Sequence, residues 1–456
     1  MERREFLALC GVLGAGTVMQ SGCETTARST VKSKPNVVLI VADDLGYGEL
    51  SVQGSKDILT PNIDSIARNG VRFTDGYVTC PVCSPTRAGL MTGRYQQRFG
   101  HEFNPGPQGA ESNVFGLPLS ETTLPQRMKQ LGYTTGMVGK WHLGNRDGYY
   151  PTERGFDEFY GFLGGAHSYV NAKADTKNPI LRGKTVVDEL SYTTEDFARE
   201  ACSFVDRHKE HPFFLYVPFN AVHAPMDVLE KYMAPYASIQ DEKRRKFAAM
   251  LSALDAGVGS ILSKLNEHGL TDNTLVIFIS DNGGPTQQIT SKNDPLRGFK
   301  GQVLEGGIRV PFMMQWPGHI PEGKTYSKPV ISLDILSTAV AAAGGAIAPG
   351  DKCEGVNLVP YINREITGAP HDALHWRQGE NYAVRMGNYK LVKQTDEPLA
   401  LYELLNDIHE DNNIASQMPE KVKELQAAWD AWNVHNIAPL WDRAPRSGQR
   451  QRAVTR

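Results

Sequence analysis

The run Asn36-Val37-Val38-Leu39-Ile40-Val41-Ala42 ends abruptly in Asp43-Asp44-Leu45-Gly46. The six apolar residues after Asn36, mostly β-branched, read as a short strand buried on both faces, which is the signature of a parallel sheet. Thr274-Leu275-Val276-Ile277-Phe278-Ile279-Ser280 repeats the pattern and ends in Asp281-Asn282-Gly283-Gly284. Two buried strands therefore carry carboxylate or amide side chains at their C-terminal ends. In open α/β sheets that edge is where ligands bind.

Strand and helix signals alternate between these two runs. Helical patterns cover Thr123 to Gln130, Thr194 to His208 and Asp241 to His268, and strand patterns cover Thr134 to Val138 and Phe213 to Val217. The alternation predicts an α/β fold, with a large, mostly parallel, mixed sheet between helices. The character changes beyond the Ala341–Gly345 and Pro349-Gly350 region. Strand patterns at Ala373 to Arg377, Tyr382 to Met386, Tyr389 to Lys393 and Ala400 to Leu404, with a Gly387-Asn388 turn, predict a four-stranded antiparallel sheet. Glu420 to Val434 carries Val422, Leu425, Ala428, Trp429 and Trp432 at helical spacing, a packing stripe on an amphipathic helix. The expected organisation is a catalytic domain over 36–360 and a smaller α+β subdomain over 361–442. No internal repeat is evident.

The 456 residues, with 22% charged, 40% hydrophobic and a net charge of -3, suit a globular protein and imply no nucleic-acid partner. Six cysteines are too few for a disulfide scaffold. No apolar run after residue 25 reads as a bilayer span. The N-terminus has its own logic. Arg3-Arg4-Glu5-Phe6-Leu7 precedes a Gly- and Ala-rich apolar run to Met19, the form of a twin-arginine export signal over residues 1–23. Ser21-Gly22-Cys23 resembles the end of a lipobox, although Gln20 stands where Leu is usual. Two readings stand for Cys23: an acylated N-terminus anchored to the membrane, or a chance cysteine beside a plain cleaved signal. Residues 24–35 read as a polar tether, and 443–456, with five arginines and no apolar periodicity, as a basic disordered tail. The expected location is the bacterial periplasm or its membrane face.

Asp43, Asp44, Asp281 and Asn282 offer only oxygen ligands, a set that suits Ca²⁺ or Mg²⁺ over zinc. Carboxylates crowded at one sheet edge repel unless a cation sits among them. Cys83-Ser84-Pro85-Thr86-Arg87-Ala88-Gly89-Leu90-Met91-Thr92-Gly93-Arg94 reads as a helix start with Pro in its first turn, which places Cys83 where N–H groups and helix dipole favour an anion. Cys80-Pro81-Val82-Cys83 also has dithiol or zinc-knuckle spacing, but no second cysteine pair completes a zinc site.

The Cys83 segment, of form C-x-P-x-R followed by L-x-T-G-R, resembles the signature of type I sulfatases of the alkaline-phosphatase superfamily. Thr86 replaces the more common Ser and keeps the hydroxyl. Gly139-Lys140-Trp141-His142-Leu143-Gly144, His223-Ala224-Pro225 and Leu296-Arg297-Gly298-Phe299-Lys300-Gly301 resemble three further blocks of that family, in the expected order. The resemblance covers roughly Asn36 to Trp316 strongly and the C-terminal part loosely. It implies that Cys83 is oxidised to formylglycine, and that Asp43, Asp44, Asp281 and Asn282 hold a divalent ion with the modified Cys83. It implies roles for Arg87, Lys140 and Lys300 in binding the modified side chain and sulfate, with His223 as acid and His142 as base. It also implies a maturing partner, either a formylglycine-generating enzyme or an anaerobic sulfatase-maturing enzyme. Because twin-arginine systems carry folded proteins, oxidation of Cys83 is expected before export.

The order from Gly116-Leu117-Pro118-Leu119 to the G-K-W-H block resembles the arylsulfatase and N-acetylgalactosamine-sulfatase branch, which implies a sulfated galactose-type saccharide. Loops Gln97 to Gly116, Gly164 to Asn178 and Thr286 to Leu296 are expected around the pocket, with His101, His167 and Asn171 as candidate sugar contacts. Two rivals share these features. One is a phosphonate monoester hydrolase or phosphodiesterase of the same superfamily; the Lys140 and Lys300 blocks favour sulfate. The other is a non-catalytic lipoprotein that binds sulfated glycans, which requires an unmodified Cys83.

Overall fold

The computed structural model describes residues 34–106 and 115–442. The expected export signal, Cys23, the tether up to residue 33 and the basic tail lie outside the described residues.

Asn36–Ala42 is a strand and every residue in it is buried. It pairs in parallel with Phe213–Pro218 on one side and Thr274–Ser280 on the other. Side-chain alternation explains the unbroken apolar run. Val37, Leu39 and Val41 enter one core, and Val38 and Ile40 enter another on the opposite face of the sheet. Helices Cys83–Thr92, Leu124–Gln130 and Asp334–Ala342 cover the first face, while Pro61–Arg68, Thr193–His208 and Glu242–Glu267 cover the second.

Ten strands form this sheet in the order Lys324–Tyr326, Val71–Phe73, Phe312–Gln315, Thr274–Ser280, Asn36–Ala42, Phe213–Pro218, Thr134–Lys140, Glu158–Phe162, Leu181–Arg182, Thr185–Val186. Phe312–Gln315 runs antiparallel to both neighbours, and Leu181–Arg182 and Thr185–Val186 form an antiparallel edge, so the sheet is mixed. Several helix ends are encoded locally. Thr123 and Gln126 form a reciprocal capping box ahead of Leu124–Gln130, and the Asp241 side chain accepts the Arg244 N–H at the start of Glu242–Glu267. Helix Glu242–Glu267 is long and apolar enough to cross a bilayer by composition, contrary to the reading above. The fold uses it as a core helix, with 67% of its most apolar window buried inside the protein.

The C-terminal sheet is four-stranded and antiparallel, in the order Leu374–Gln378, Asn381–Met386, Tyr389–Lys393, Ala400–Glu403. Helix Pro419–Asn433 covers one face through Leu425, which meets Val384, Leu391 and Leu401. From the other face Trp376 is sunk in the main core, its indole N–H donating to the Val78 carbonyl at 2.7 Å. The small sheet is thus bonded into the body that carries the site.

Candidate active site

Register brings the site together. Ala42 pairs with Ser280 and Val41 with Pro218, so the residues after each strand emerge at one edge. Asp43 and Asp44 follow the first strand, Asp281 and Asn282 the second, and His223 lies five residues beyond Pro218. Lys140 ends the neighbouring strand and His142 follows it. Helix Cys83–Thr92 points its first turn at the same place, with Val82 as its extended cap.

The side chains interlock. Lys140 Nζ donates to Asp43 Oδ2 at 2.5 Å and Lys300 Nζ to Asp44 Oδ1 at 2.6 Å. Lys300 Nζ also lies 3.2 Å from Cys83 Sγ, which itself lies 3.5 Å from Asp43 Oδ1. Arg87 grips Asp281 Oδ2 through Nε (3.0 Å) and Nη2 (2.8 Å) and reaches the Lys140 carbonyl at 3.1 Å. Arg87, Lys140, Asp43, Asp44, Asp281 and Asn282 are all buried. Three carboxylates facing three cations balance in charge, and each buried charge has a partner.

These neighbours set the ionisation states. Burial works to raise the Asp43 carboxyl, but Lys140, His223, Arg87 and Lys300 outweigh it and hold it well below the usual carboxylate range. Burial, then Asp43, pushes the neighbouring Asp281 up. Burial, then Asp281, pushes the Cys83 thiol up to about 12, so the unmodified residue is a thiol and not a thiolate. Burial, then Lys140 and Arg87, pushes His142 well below the ordinary imidazole value. His223 is lowered by burial against the opposing pull of Asp44 and Asp43. Its Nδ1 lies 2.5 Å from the Ala224 carbonyl, an acceptor, so Nδ1 bears the proton and Nε2 is the free nitrogen, 3.7 Å from Asp44 Oδ2.

The residues fit a hard divalent cation. Asp43, Asp44, Cys83 and His223 offer ligand atoms all within 4.8 Å of one another. Asn282 donates its amide N–H to Asp44 Oδ1 at 2.7 Å, while its own Oδ1 is buried without a partner, an acceptor left for a cation. Asp281 sits beside this group, one oxygen on Arg87 and the other accepting the Asp44 N–H.

A cleft of about 410 Å³ opens above Cys83, lined also by His142, His223, Asn104, Phe115 and Asn145. Gly165 lies against it too, where a Cβ would come 2.7 Å from His142 Nε2, so a side chain there would displace the imidazole. Lys140, Arg87 and the acidic residues are buried and bonded to one another, and reach Cys83 through Asp43.

The candidate sugar contacts fall elsewhere. His101 is fully buried, its Nε2 2.7 Å from Ser84 Oγ, and burial pushes its imidazole down to about 3. The Ser84 hydroxyl donates to the His142 carbonyl at 2.6 Å, so His101 Nε2 is the donor to Ser84 and the imidazole is neutral. His167 is buried against Phe162, with Nδ1 on the Ser168 carbonyl at 2.7 Å. Asn171 is exposed on its loop and is not one of the residues that line the cleft. Of the three expected loops, the first two do contribute lining residues. Thr286–Leu296 instead packs behind Asp44, where Ser291 Oγ donates to the Asp44 carbonyl at 3.0 Å. Asn104, Phe115 and Gly165 lie in the two loops expected around the pocket and Asn145 lies outside them, but none is singled out by the sequence, because a lone amide, Phe or Gly in a loop carries no spacing signal. The C-x-x-C alternative also fails: Cys80 is a free, buried thiol directed at the Glu102 carbonyl, 3.9 Å away.

Known proteins agree with this geometry. The sulfatase family profile matches residues 35–346, and the profile for the C-terminal part of N-sulphoglucosamine sulphohydrolase matches 299–431. The chain belongs to the sulfatase family. An uncharacterized sulfatase, YdeN of Escherichia coli (strain K12), is 31% identical over 494 residues, covering 88% of this sulfatase and 86% of that relative. N-acetylgalactosamine-6-sulfatase of Homo sapiens is 33% identical, over 72% of this chain and 66% of its own. The crystal structure of Ps i-CgsB superposes with a TM-score of 0.87 at 37% identity, covering 93% of this chain and 98% of that one, and Ps i-CgsB is also seen in complex with k-i-k-neocarrahexaose. The protein is accordingly a sulfuric ester hydrolase of the type I, arylsulfatase-like branch.

Proposed function

We propose that this sulfatase releases sulfate from a sulfated galactose-type saccharide, using formylglycine made from Cys83 and a divalent cation, Ca²⁺ or Mg²⁺. The placement of Cys83 carries the reading: it stands at the floor of the cleft, at a helix N-terminus, within reach of Lys300 and Asp43. The sugar class rests on two similarities, to a human enzyme named for N-acetylgalactosamine 6-sulfate and to a protein seen with a neocarra-oligosaccharide.

Asp43, Asp44, Asp281 and Asn282 would hold the cation, which supplies positive charge toward the sulfate oxygens. Formylglycine, when hydrated, supplies two hydroxyls, one to attack sulfur and one whose deprotonation lets sulfate leave. The chain's own groups do the rest. Lys300, beside Cys83 Sγ, and Lys140, on Asp43, add fixed positive charge where the sulfate arrives. Arg87, buried on Asp281, orients the helix that carries residue 83. His223 is anchored through Nδ1–H, so in the imidazolium form the Nε2 proton is the one free to pass to the leaving alcohol, which leaves the ring neutral with Nδ1 still protonated. His142, kept neutral by burial, Lys140 and Arg87, is poised to accept the second hydroxyl's proton.

The N-terminal reading belongs to the same proposal: export through the twin-arginine signal, oxidation of Cys83 by a maturing enzyme beforehand, and an acyl anchor at Cys23. The decisive experiment pairs the mass of the Cys83 peptide with sulfate release from a sulfated neocarra-oligosaccharide. Activity should scale with the formylglycine fraction and vanish in Cys83→Ala. Full activity in that variant would overturn the reading. Faster turnover of a matched phosphonate or phosphate ester would move the protein to the rival class.

A further inference from the structure

The described residues after helix Pro419–Asn433, 434–442, return to the active site. The backbone N–H groups of Ile437 and Leu440 donate to the carbonyls of Gln97 (3.1 Å) and Gly100 (2.9 Å). Gly100 has a left-handed φ of 73°, and a Cβ there would come 2.8 Å from the Ala438 carbonyl, so loop and strap are fitted to each other. The strap ends in Trp441, 7% exposed, whose indole N–H is shared between the carbonyls of Phe103 (3.0 Å) and Asn104 (3.2 Å). Its ring stands edge-on to His101 (4.7 Å, 75°) and to Phe115 (5.6 Å, 89°).

Two of those partners face the cleft. Asn104 and Phe115 line it, as do Pro105 and Leu163. The same loop also reaches the residue after Cys83. Asn104 Oδ1 accepts the Ser84 N–H at 3.0 Å, and His101 Nε2 meets Ser84 Oγ at 2.7 Å. Trp441 is therefore one step removed from both the cleft wall and the first turn of the Cys83 helix. A pyranose presents an apolar C–H face and a hydroxyl rim. A wall with an aromatic ring beside an amide matches that pattern, as ligand sites that combine apolar lining with a few placed polar groups do.

We propose that Trp441 is a specificity-determining positioning residue, which holds the two wall residues Asn104 and Phe115, against which the sugar bearing the sulfate ester packs. This rests on the saccharide reading above. It follows that the strap 434–442, the most C-terminal of the described residues, is a working part of a site whose other groups lie at the sheet edge.

The test compares Trp441→Ala, Trp441→Phe and Phe115→Ala on three probes: a sulfated neocarra-oligosaccharide, 4-nitrophenyl sulfate, and inorganic sulfate as inhibitor. Trp441→Ala should raise KM for the oligosaccharide by about tenfold, while kcat on the aryl ester and inhibition by sulfate stay within about threefold. Trp441→Phe keeps a ring but loses the N–H, and should fall between. The Trp441→Ala, Phe115→Ala double variant should be less than additive, since both changes remove one wall. An unchanged oligosaccharide KM would overturn the proposal. So would a proportional loss on all probes together with a lower unfolding temperature, which would make Trp441 merely structural. If Trp441→Ala fails to fold, Trp441→Phe and Phe115→Ala decide the matter. A wild type that cleaves the aryl ester but no oligosaccharide would instead overturn the saccharide reading, and this proposal with it.

Discussion

Asp44 and His142 both hold left-handed backbone, with φ of 64° and 59°. That region disfavours side chains with a Cβ, and such strain clusters where side chains must be aimed. Here it turns an Asp into the acidic cluster and a His into the cleft. The chemistry at this scale is a matter of proton positions. His223 lies below its ordinary value because burial disfavours the imidazolium, and a cation on Asp43 and Asp44 would cancel the carboxylate charge that opposes the burial. An acid must be protonated to act, and His223 loses its proton as pH rises through its lowered pKa. The expected outcome is a kcat/KM that falls with rising pH from a midpoint below 6.5, measured on the oligosaccharide, with that limb absent in His223→Gln. A limb that persists in the variant would remove His223 from the acid role. Cys83, Arg87, Lys140, His142, His223 and Lys300 were all legible as residues because each sits in a contiguous motif. His101 was legible only as a polar loop residue; burial behind Ser84, which places it outside the cleft, is not written in its neighbours.

Elements were readable in proportion to their length and periodicity. Asn36–Ala42, Thr274–Ser280 and Tyr389–Lys393 match their expected bounds, because each is a run whose pattern ends at a turn or a charged pair. Val71–Phe73, Phe312–Gln315, Glu158–Phe162 and Lys324–Tyr326 are short, and the sheet forms them by supplying hydrogen-bond partners from distant sequence. The C-terminal helix owes its place to packing. Leu425 is fully buried among Val384, Leu391 and Leu401, while the Trp429 ring lies tilted by 31° against Tyr382, centroids 4.1 Å apart. Leu425→Ala should lower stability by about 3 kcal/mol, as buried Leu truncations do, measured by urea unfolding. Because that side chain belongs to the separate small core between this helix and the C-terminal sheet, kcat on an aryl sulfate should be unchanged. A large loss of kcat without loss of stability would contradict this division.

At the scale of the molecule, buried charge joins the parts. Lys390, on the C-terminal sheet, is fully buried between Glu305 (2.8 Å) and Glu410 (3.0 Å). Arg385, on the next strand, reaches Asp75 at 2.7 Å, a residue 310 positions earlier in the chain. Pairs of this kind cost much to break singly, so they tie the small sheet to the body that carries Lys300. A cation held by the acidic cluster would act at the same scale, because a ligand that binds only the folded state stabilises all of it. Ca²⁺ or Mg²⁺ at a hundredfold over Kd should add about 2.7 kcal/mol, seen as a raised unfolding temperature that a chelator reverses. An unfolding temperature indifferent to both would count against the acidic cluster as a cation site.

The sequence alone determined the buried strands with acidic ends, the Cys83 helix start and the later Lys and His blocks. Apolar periodicity, caps and motif spacing are properties of contiguous residues, and each of these features is complete within about a dozen of them. Tertiary structure alone decided that Thr286–Leu296 and His101 lie behind the site, that Phe115 and Asn104 face it, and that Trp441 arrives from the far end of the described chain to hold them. Those outcomes depend on strand order and burial, which bring together groups hundreds of residues apart and leave no local trace.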